Sequence, residues 1–249
     1  MRFLILADIH ANLEALEAVL ERARGQFDQV ICCGDLVGYG PDPNPVIEVV
    51  RQLDPAVVVR GNHDKAAVGL TDLSWFNPLA ASAALWTRAQ LSEENRRYLQ
   101  AMPRGPVERG GLTVAHGSLL DEDQYLLNLE EALQSLSLAA HRLTFFGHTH
   151  VQGGFAWFKE QRAGPLDPGL RKGAAESRLV LDSENRYLIN PGSVGQPRDD
   201  DPRAAFAVYD EARALVSYLR VEYPVGRTQQ KMREAGLPPY LADRLSRGW

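Results

Sequence analysis

The sequence predicts an α/β fold with a β-rich second half. Three observations carry this: a strand-helix rhythm through the first 64 residues, a change to hairpin texture after residue 151, and polar clusters that close five successive apolar runs.

The elements follow in order. Residues 3–7 form a short apolar run that reads as the first strand. The next helix opens with Asn12 as N-cap, carries Leu13, Leu16 and Leu20 on one stripe, and stops near Gly25. Residues 29–33 form the second strand. The second helix takes Asn44 as N-cap and Pro45 as its first helical residue, and ends before Asp54-Pro55. Residues 56–59 form the third strand. Short apolar strands alternating with helices point to a parallel sheet covered on both faces. Residues 65–110 read as a helical insert with no obvious strand. Residues 112–115 and 143–146 are further strands, with a helix over 129–141 between them.

Beyond 151 the expected strands are 153–159, 178–181, 187–189, 205–209 and 215–221. Residues 161–176, rich in Gly, Pro and charge, read as a mobile loop at a hairpin tip. Residues 227–249 form a C-terminal helical extension of two short helices, broken at Gly236-Leu237-Pro238-Pro239. There is no internal repeat, so one domain over residues 1–249 is expected.

The 249 residues are 45% hydrophobic and 24% charged, ordinary values for a globular chain. No apolar stretch approaches the ~20 residues that cross a bilayer. Asp8 interrupts the first apolar run after five residues, too early for a signal peptide, so a cytoplasmic protein is expected. A net charge of −5 argues against a broad nucleic-acid surface. It leaves room for a small phosphate substrate, because bound cations reverse the local sign of a site. Cys32 and Cys33 are adjacent in a strand, point to opposite faces and read as buried hydrophobes rather than a disulfide or a zinc site. Oligomeric state is left open.

Each early strand ends in metal-competent residues: Asp8-Ile9-His10, Gly34-Asp35, Gly61-Asn62-His63-Asp64, His116-Gly117 and Gly147-His148-Thr149-His150. Open α/β sheets place their sites at that edge. Asp8 to Asp35 and Asp35 to Asn62 are both 27 residues apart, one strand-helix unit each, so distant residues converge. Asp8, His10, Asp35 and His150 suit one metal site; Asp35, Asn62, His116 and His148 suit a second. A shared Asp35 would bridge ions ~3.5–4 Å apart. Mixed oxygen and imidazole donors favour Mn²⁺, with Fe, Zn²⁺, Co²⁺ or Ni²⁺ as alternatives, over Mg²⁺ or Ca²⁺. Gly34, Gly61 and Gly147 let the backbone turn beside the ligands.

This ordered set, spanning residues 8–150, resembles the calcineurin-like metallophosphoesterase superfamily. Asn190-Pro191-Gly192-Ser193-Val194-Gly195 is similar to a loop of its small prokaryotic phosphodiesterases. The resemblance implies a sandwich of two β-sheets flanked by helices and the seven ligands above. It also implies that His63 is the proton donor, with Asp64 orienting it. Two cations then lower the pKa of a bridging water, hydroxide attacks phosphorus in line, and His63 protonates the leaving oxygen.

Gly34-Asp35-Leu36-Val37-Gly38-Tyr39-Gly40 and a third motif ending in Asp64 depart from the Ser/Thr phosphatases and symmetrical dinucleoside tetraphosphatases of that superfamily. The expected activity is therefore hydrolysis of a small phosphodiester. The alternatives are a phosphomonoesterase for nucleotides or phosphoproteins, and a non-catalytic scaffold like the retromer subunit of the same fold. A scaffold is free to lose His63 and the ligands, which this chain keeps. Leu85, Trp86, Tyr98, Leu99 and Met102 are expected to wall the leaving-group side, with Lys65 as the one nearby positive charge. Tyr39, Trp75 and Phe76 are candidates for stacking on a substrate base, with packing of the helical insert the favoured reading for Trp75 and Phe76. Arg198 reads either as a phosphate contact or as a solvated loop residue. His141 reads as a helix-end residue that suits the dipole.

Overall fold

Side-chain alternation along β1 (Arg2–Leu6) sets the layers. Phe3 and Ile5 enter a core between two sheets, while Leu4 and Leu6 face a layer of helices. Cys32 and Cys33 divide in the same way, one into each core, and both are free thiols. The computed structural model describes residues 1–159, 162–170 and 173–249.

The first sheet starts from β1, β2 (Gln29–Cys32) and β3 (Val57–Val58), which run parallel, with Ile5 opposite Ile31. It continues antiparallel through β11 (Ala204–Asp210), β12 (Leu215–Val221) and β9 (Glu176–Val180), in the order β3-β2-β1-β11-β12-β9. The second sheet has β4 (Val107–Arg109), β5 (Leu112–Val114), β6 (Leu143–Phe145), β10 (Arg186–Asn190), β7 (Gly153–Trp157) and β8 (Ala163–Leu166), in the order β4-β5-β6-β10-β7-β8. The sheets bury Ile5, Ile31, Val114, Phe145, Ile189 and Tyr218 between them.

Helices α1 (Leu13–Ala23), α2 (Pro43–Gln52), α3 (Asn62–Val68) and α5 (Glu93–Ala101) cover the outer face of the first sheet. Helix α6 (Leu129–Leu138) packs Ala132 and Leu136 on Leu188 of the second. The parallel sheet read from the strand-helix rhythm is thus half of the answer. Its inner face is covered by a second mixed sheet, as in the sandwich implied by the resemblance.

Four local expectations change. Helix α2 begins two residues earlier, with Asp42 as N-cap and Pro43 at its first position. Asn44 is instead engaged across the fold, donating to Gln90 O at 2.8 Å and accepting from Ser92 N at 2.9 Å. A strand, β4, lies inside the expected helical insert. It pairs with β5 across Gly110-Gly111, whose positive φ values of 58° and 81° make a tight hairpin. Strand β8 occupies part of the expected loop 161–176 and pairs with β7. Gln161 and residues 171–172 of that loop lie outside the described residues. Helix α6 ends at Leu138, leaving His141 beyond it and 3.6 Å from Glu108.

At the C-terminus, α7 (Val225–Glu234) and α8 (Pro239–Asp243) place Met232, Leu237, Leu241 and Leu245 against Tyr39, Ala80 and Ala83, the last two on α4 (Pro78–Gln90). This end of the chain therefore packs beside the strand-end loops. Among the described residues, no helix is long and apolar enough to cross a membrane.

Phe145 is fully buried between the sheets. Phe145→Ala should lower unfolding stability by about 3–5 kcal/mol in denaturant titration, since rigid sheets cannot collapse onto the space.

Candidate metal centre

Six residues from four loops converge at the C-terminal ends of the parallel strands. One ligand atom each from Asp8, His10, Asp35 and His150 lies within 4.8 Å of the others, and Asp35, His116 and His148 meet the same limit. Asn62 joins them with its Oδ1 3.2 Å from His116 Nε2. All seven expected ligands are thus brought together, all but Asn62 buried.

The backbone delivers them at a cost. Asp8, His10, Asp35, His148 and His150 all adopt left-handed conformations, with φ between 50° and 69°. Such residues cost about 1–3 kcal/mol each and persist only where surroundings fix them. The turns thus fall on the ligands themselves more than on the preceding glycines. Of those, Gly34 has φ 94°, and a side chain there would come within 2.7 Å of His116 Nδ1. Gly61 is needed for closeness instead, because a Cβ would overlap the Asp35 carboxylate.

Backbone carbonyls orient every imidazole ligand. Nδ1 of His10, His116 and His150 donates to Val37 O at 3.0 Å, Cys33 O at 2.8 Å and Gln196 O at 2.6 Å. His148 donates through Nε2 to Asp123 O at 2.9 Å. These bonds assign the tautomers, leaving lone pairs on Nε2 of the first three and on Nδ1 of His148. The lone pairs then face other acceptors. His10 Nε2 lies 3.0 Å from His150 Nε2, and Asp35 Oδ2 lies 3.6 Å from His10 Nε2 and 3.4 Å from His116 Nε2. Asp35 Oδ2 is buried without a hydrogen-bond partner.

Acceptors aimed at one another are satisfied by cations. The donor set fits a binuclear divalent metal centre, with Asp35 common to both donor groups. Burial holds His10, His148 and His150 well below the ordinary imidazole value, in the neutral form that binds a metal. Burial opposes charge on His116, whereas the Asp35 carboxylate beside it raises it to about 10, which shows how strongly this position favours positive charge.

Asn62, His63 and Asp64 form the first turn of α3 rather than a loop. Asp64 does not meet the ring of His63. Its Oδ2 accepts from Asp35 N and Gly61 N, both at 2.9 Å, and its Oδ1 from Val37 N at 3.2 Å. It ties the second and third motif loops together, so any effect on His63 passes through the backbone. His63 donates its own N–H to Asp35 Oδ1 at 2.9 Å. Its ring sits between Tyr39 and Phe76, with centroids 4.3 and 5.1 Å away. Nδ1 is sealed without a partner against Gly38, which leaves Nε2 to face the cavity. Burial pushes this imidazole down to about 4.

The loop 190–195 braces the centre. Asn190 Nδ2 donates to Gly147 O at 2.8 Å, and Ser193 Oγ donates to Asp8 O at 2.7 Å. A cavity of about 480 Å³ opens beside the ligands, lined by Asn62, His63 and His148 and by Tyr39, Trp75, Phe76 and Tyr125.

The expected wall of the insert is replaced by other residues. Leu99 and Met102 are buried under the first sheet with Tyr98 packed beside them, Trp86 packs against the C-terminal cluster, and Leu85 is exposed. Trp75 and Phe76, expected as packing residues, line the cavity instead, and Trp75 is 86% exposed. Lys65 is committed to Glu122 and Asp123 at 2.9 and 2.6 Å. The nearby positive charge is Arg198, 5.8 Å from the Tyr39 ring centre. Tyr125, stacked on His148 at 3.7 Å, was missed in the sequence, although it follows His116-Gly117 at the same sheet edge.

This fold and this ligand set define a metal-dependent phosphoester hydrolase. The chain belongs to the calcineurin-like phosphoesterase superfamily, whose domain matches residues 1–213. It is 42% identical to a metallophosphoesterase from Sphaerobacter thermophilus, with a TM-score of 0.86, covering 100% of this chain and 99% of that one. An uncharacterized protein of Methanocaldococcus jannaschii is 33% identical over 98% of this chain and 97% of its own length. A hypothetical protein from Pyrococcus horikoshii shares the fold at a TM-score of 0.79 and 18% identity, covering 100% of this chain and 98% of that one.

Elemental analysis after metal saturation should find two ions per chain. Asp35→Asn should reduce occupancy of both positions, and His10→Ala mainly one. Saturation at a single ion in the parent chain would remove the shared-carboxylate arrangement.

Proposed function

We propose that the chain is a phosphodiesterase for small phosphodiesters, with Mn²⁺ as its ion. The carrying observation is the shape of the space beside the ligands. The cavity of about 480 Å³ adjoins a second of about 440 Å³, and both are lined by Tyr39 and Asn77. A diester has two organic groups to place and a monoester one. The aromatic side chains of the first space suit an aryl or nucleoside group.

Two divalent cations, when bound, supply a nucleophile at neutral pH and neutralise charge on the phosphoryl oxygens. The protein's part is positioning. Asn62 and His148 belong both to the ligand cluster and to the cavity wall, so a phosphoryl group held there touches the same surface as its ester groups. With an anionic phosphoester beside it to offset the burial that lowers it, the His63 imidazolium donates from Nε2 toward the leaving oxygen, its ring held edge-on by Phe76 and against Tyr39. Asp64 is a positioning residue that fixes the Asp35 and Gly61 backbone. Residues 1–249 act as one unit in this reading, because α8 closes the second cavity through Tyr240 and Leu241.

His63→Ala should keep both ions, since only its backbone N–H meets Asp35, and should lose roughly 10²–10⁴-fold in rate. The loss should shrink for nitrophenolate, a good leaving group. A variant that sheds metal would make His63 a ligand rather than a donor. With Mn²⁺ at one pH, kcat/KM should be higher for bis(4-nitrophenyl) phosphate than for 4-nitrophenyl phosphate. A clear monoester preference would overturn the diesterase reading and leave the metal centre intact.

A further inference from the structure

The C-terminal segment sends one charged group toward the centre. Arg244 follows α8 directly and lines the second cavity with Tyr39 and Tyr240. Its Nε is buried without a hydrogen-bond partner. Arg198 meets the same tyrosine, its guanidinium carbon 5.8 Å from the Tyr39 ring centre. Its place is fixed by the metal centre: Arg198 N donates to His150 O at 3.2 Å, and Gln196 O accepts from His150 Nδ1. The Arg198 guanidinium bonds the neutral Gln196 side chain at 2.9 Å. Among the described residues, neither guanidinium pairs with a carboxylate.

Two half-buried guanidiniums that share a tyrosine and lack counter-charges repel each other. Burial, then the facing Arg198, holds Arg244 below the usual arginine range. An anion in the second cavity beside Arg244 offsets that repulsion and supplies the counter-charge that neither guanidinium has. Guanidinium forks match phosphate geometry better than any other side chain. The other arginines of the chain's ion pairs already have acidic partners, as Arg233 has Asp243 at 2.8 Å.

We propose that Arg244, with Arg198 close by at the shared Tyr39, forms an anion subsite at the second cavity, which selects phosphodiesters whose organic group carries a further phosphate. The inference rests on the diesterase reading and narrows it. The aromatic first cavity takes one ester group, and the second cavity, lined by Arg244, takes the phosphorylated one. A nucleoside with phosphates on both its 3′ and 5′ oxygens has the required chemistry.

The test uses two chromogenic diesters that differ by one phosphate: thymidine 5′-(4-nitrophenyl phosphate) and its 3′-phosphorylated counterpart. With Mn²⁺ and the full chain, kcat/KM should be at least tenfold higher for the 3′-phosphorylated ester, chiefly through KM. That ratio should fall at least tenfold in Arg244→Gln and be partly retained in Arg244→Lys. Calorimetry should show tighter binding of adenosine 3′,5′-bisphosphate than of adenosine 5′-monophosphate to the parent chain, with the difference lost in Arg244→Gln. No preference in the parent, or a preference unchanged by Arg244→Gln while the melting temperature is kept, would overturn the subsite. Hydrolysis of neither ester by the parent would instead defeat the diesterase reading, and the calorimetry would still decide the subsite.

Discussion

The Asp35 carboxylate is buried with one oxygen fixed and the other unpaired. Oδ1 accepts from His63 N, and Oδ2 faces imidazole lone pairs from both halves of the ligand set. A buried anion in that position is tolerable only beside cations. Much of the surrounding structure serves to keep Oδ2 in place without satisfying it. Asp64 pins the Asp35 and Val37 backbone, Gly61 makes room for the carboxylate, and four carbonyls turn the imidazoles so that their lone pairs converge.

That convergence needs a rigid frame. Five ligands are held in left-handed backbone conformations that their residue types do not favour as glycine would. The frame is the sandwich. β1, β2 and β3 end at one edge of the first sheet, β5 and β6 end at the matching edge of the second, and the Phe145 layer locks the two together. The 190–195 loop crosses that edge and bonds to Gly147 and Asp8, coupling ligands from separate sheets. Ligand binding and fold stability are therefore opposed locally and joined globally: the strain sits at the strand ends, and the burial that offsets it lies a few residues behind.

Legibility in the sequence followed from how local each signal was. Asp8, His10, Asp35, Asn62, His116, His148 and His150 each close a short apolar run, so residue type and strand end were both visible. The position of Asp64 was visible too, but its partners were not, because backbone N–H groups 27 and 29 residues away carry no sequence signature. β4 was hidden because three residues with two charges look like loop, and only pairing with β5 makes them a strand. Asn44 resembled a helix cap as strongly as Asp42 did. Its contacts with residues 90 and 92 decided the boundary.

The cavity belongs to the other category. Trp75 and Phe76 looked like packing residues of a helical insert, and Leu99 and Met102 like its inner wall; the packing of α5 under the first sheet exchanged these roles. Arg198 and Arg244 are 46 residues apart and share no motif. The sequence by itself determined the donor set of the candidate metal centre, because its members are particular residue types in a particular order at the strand ends. The tertiary structure decided the shape and charge of the substrate space. Those depend on which side chains remain after the cores have taken the apolar ones, and on long-range packing that brings the C-terminal helices against Tyr39.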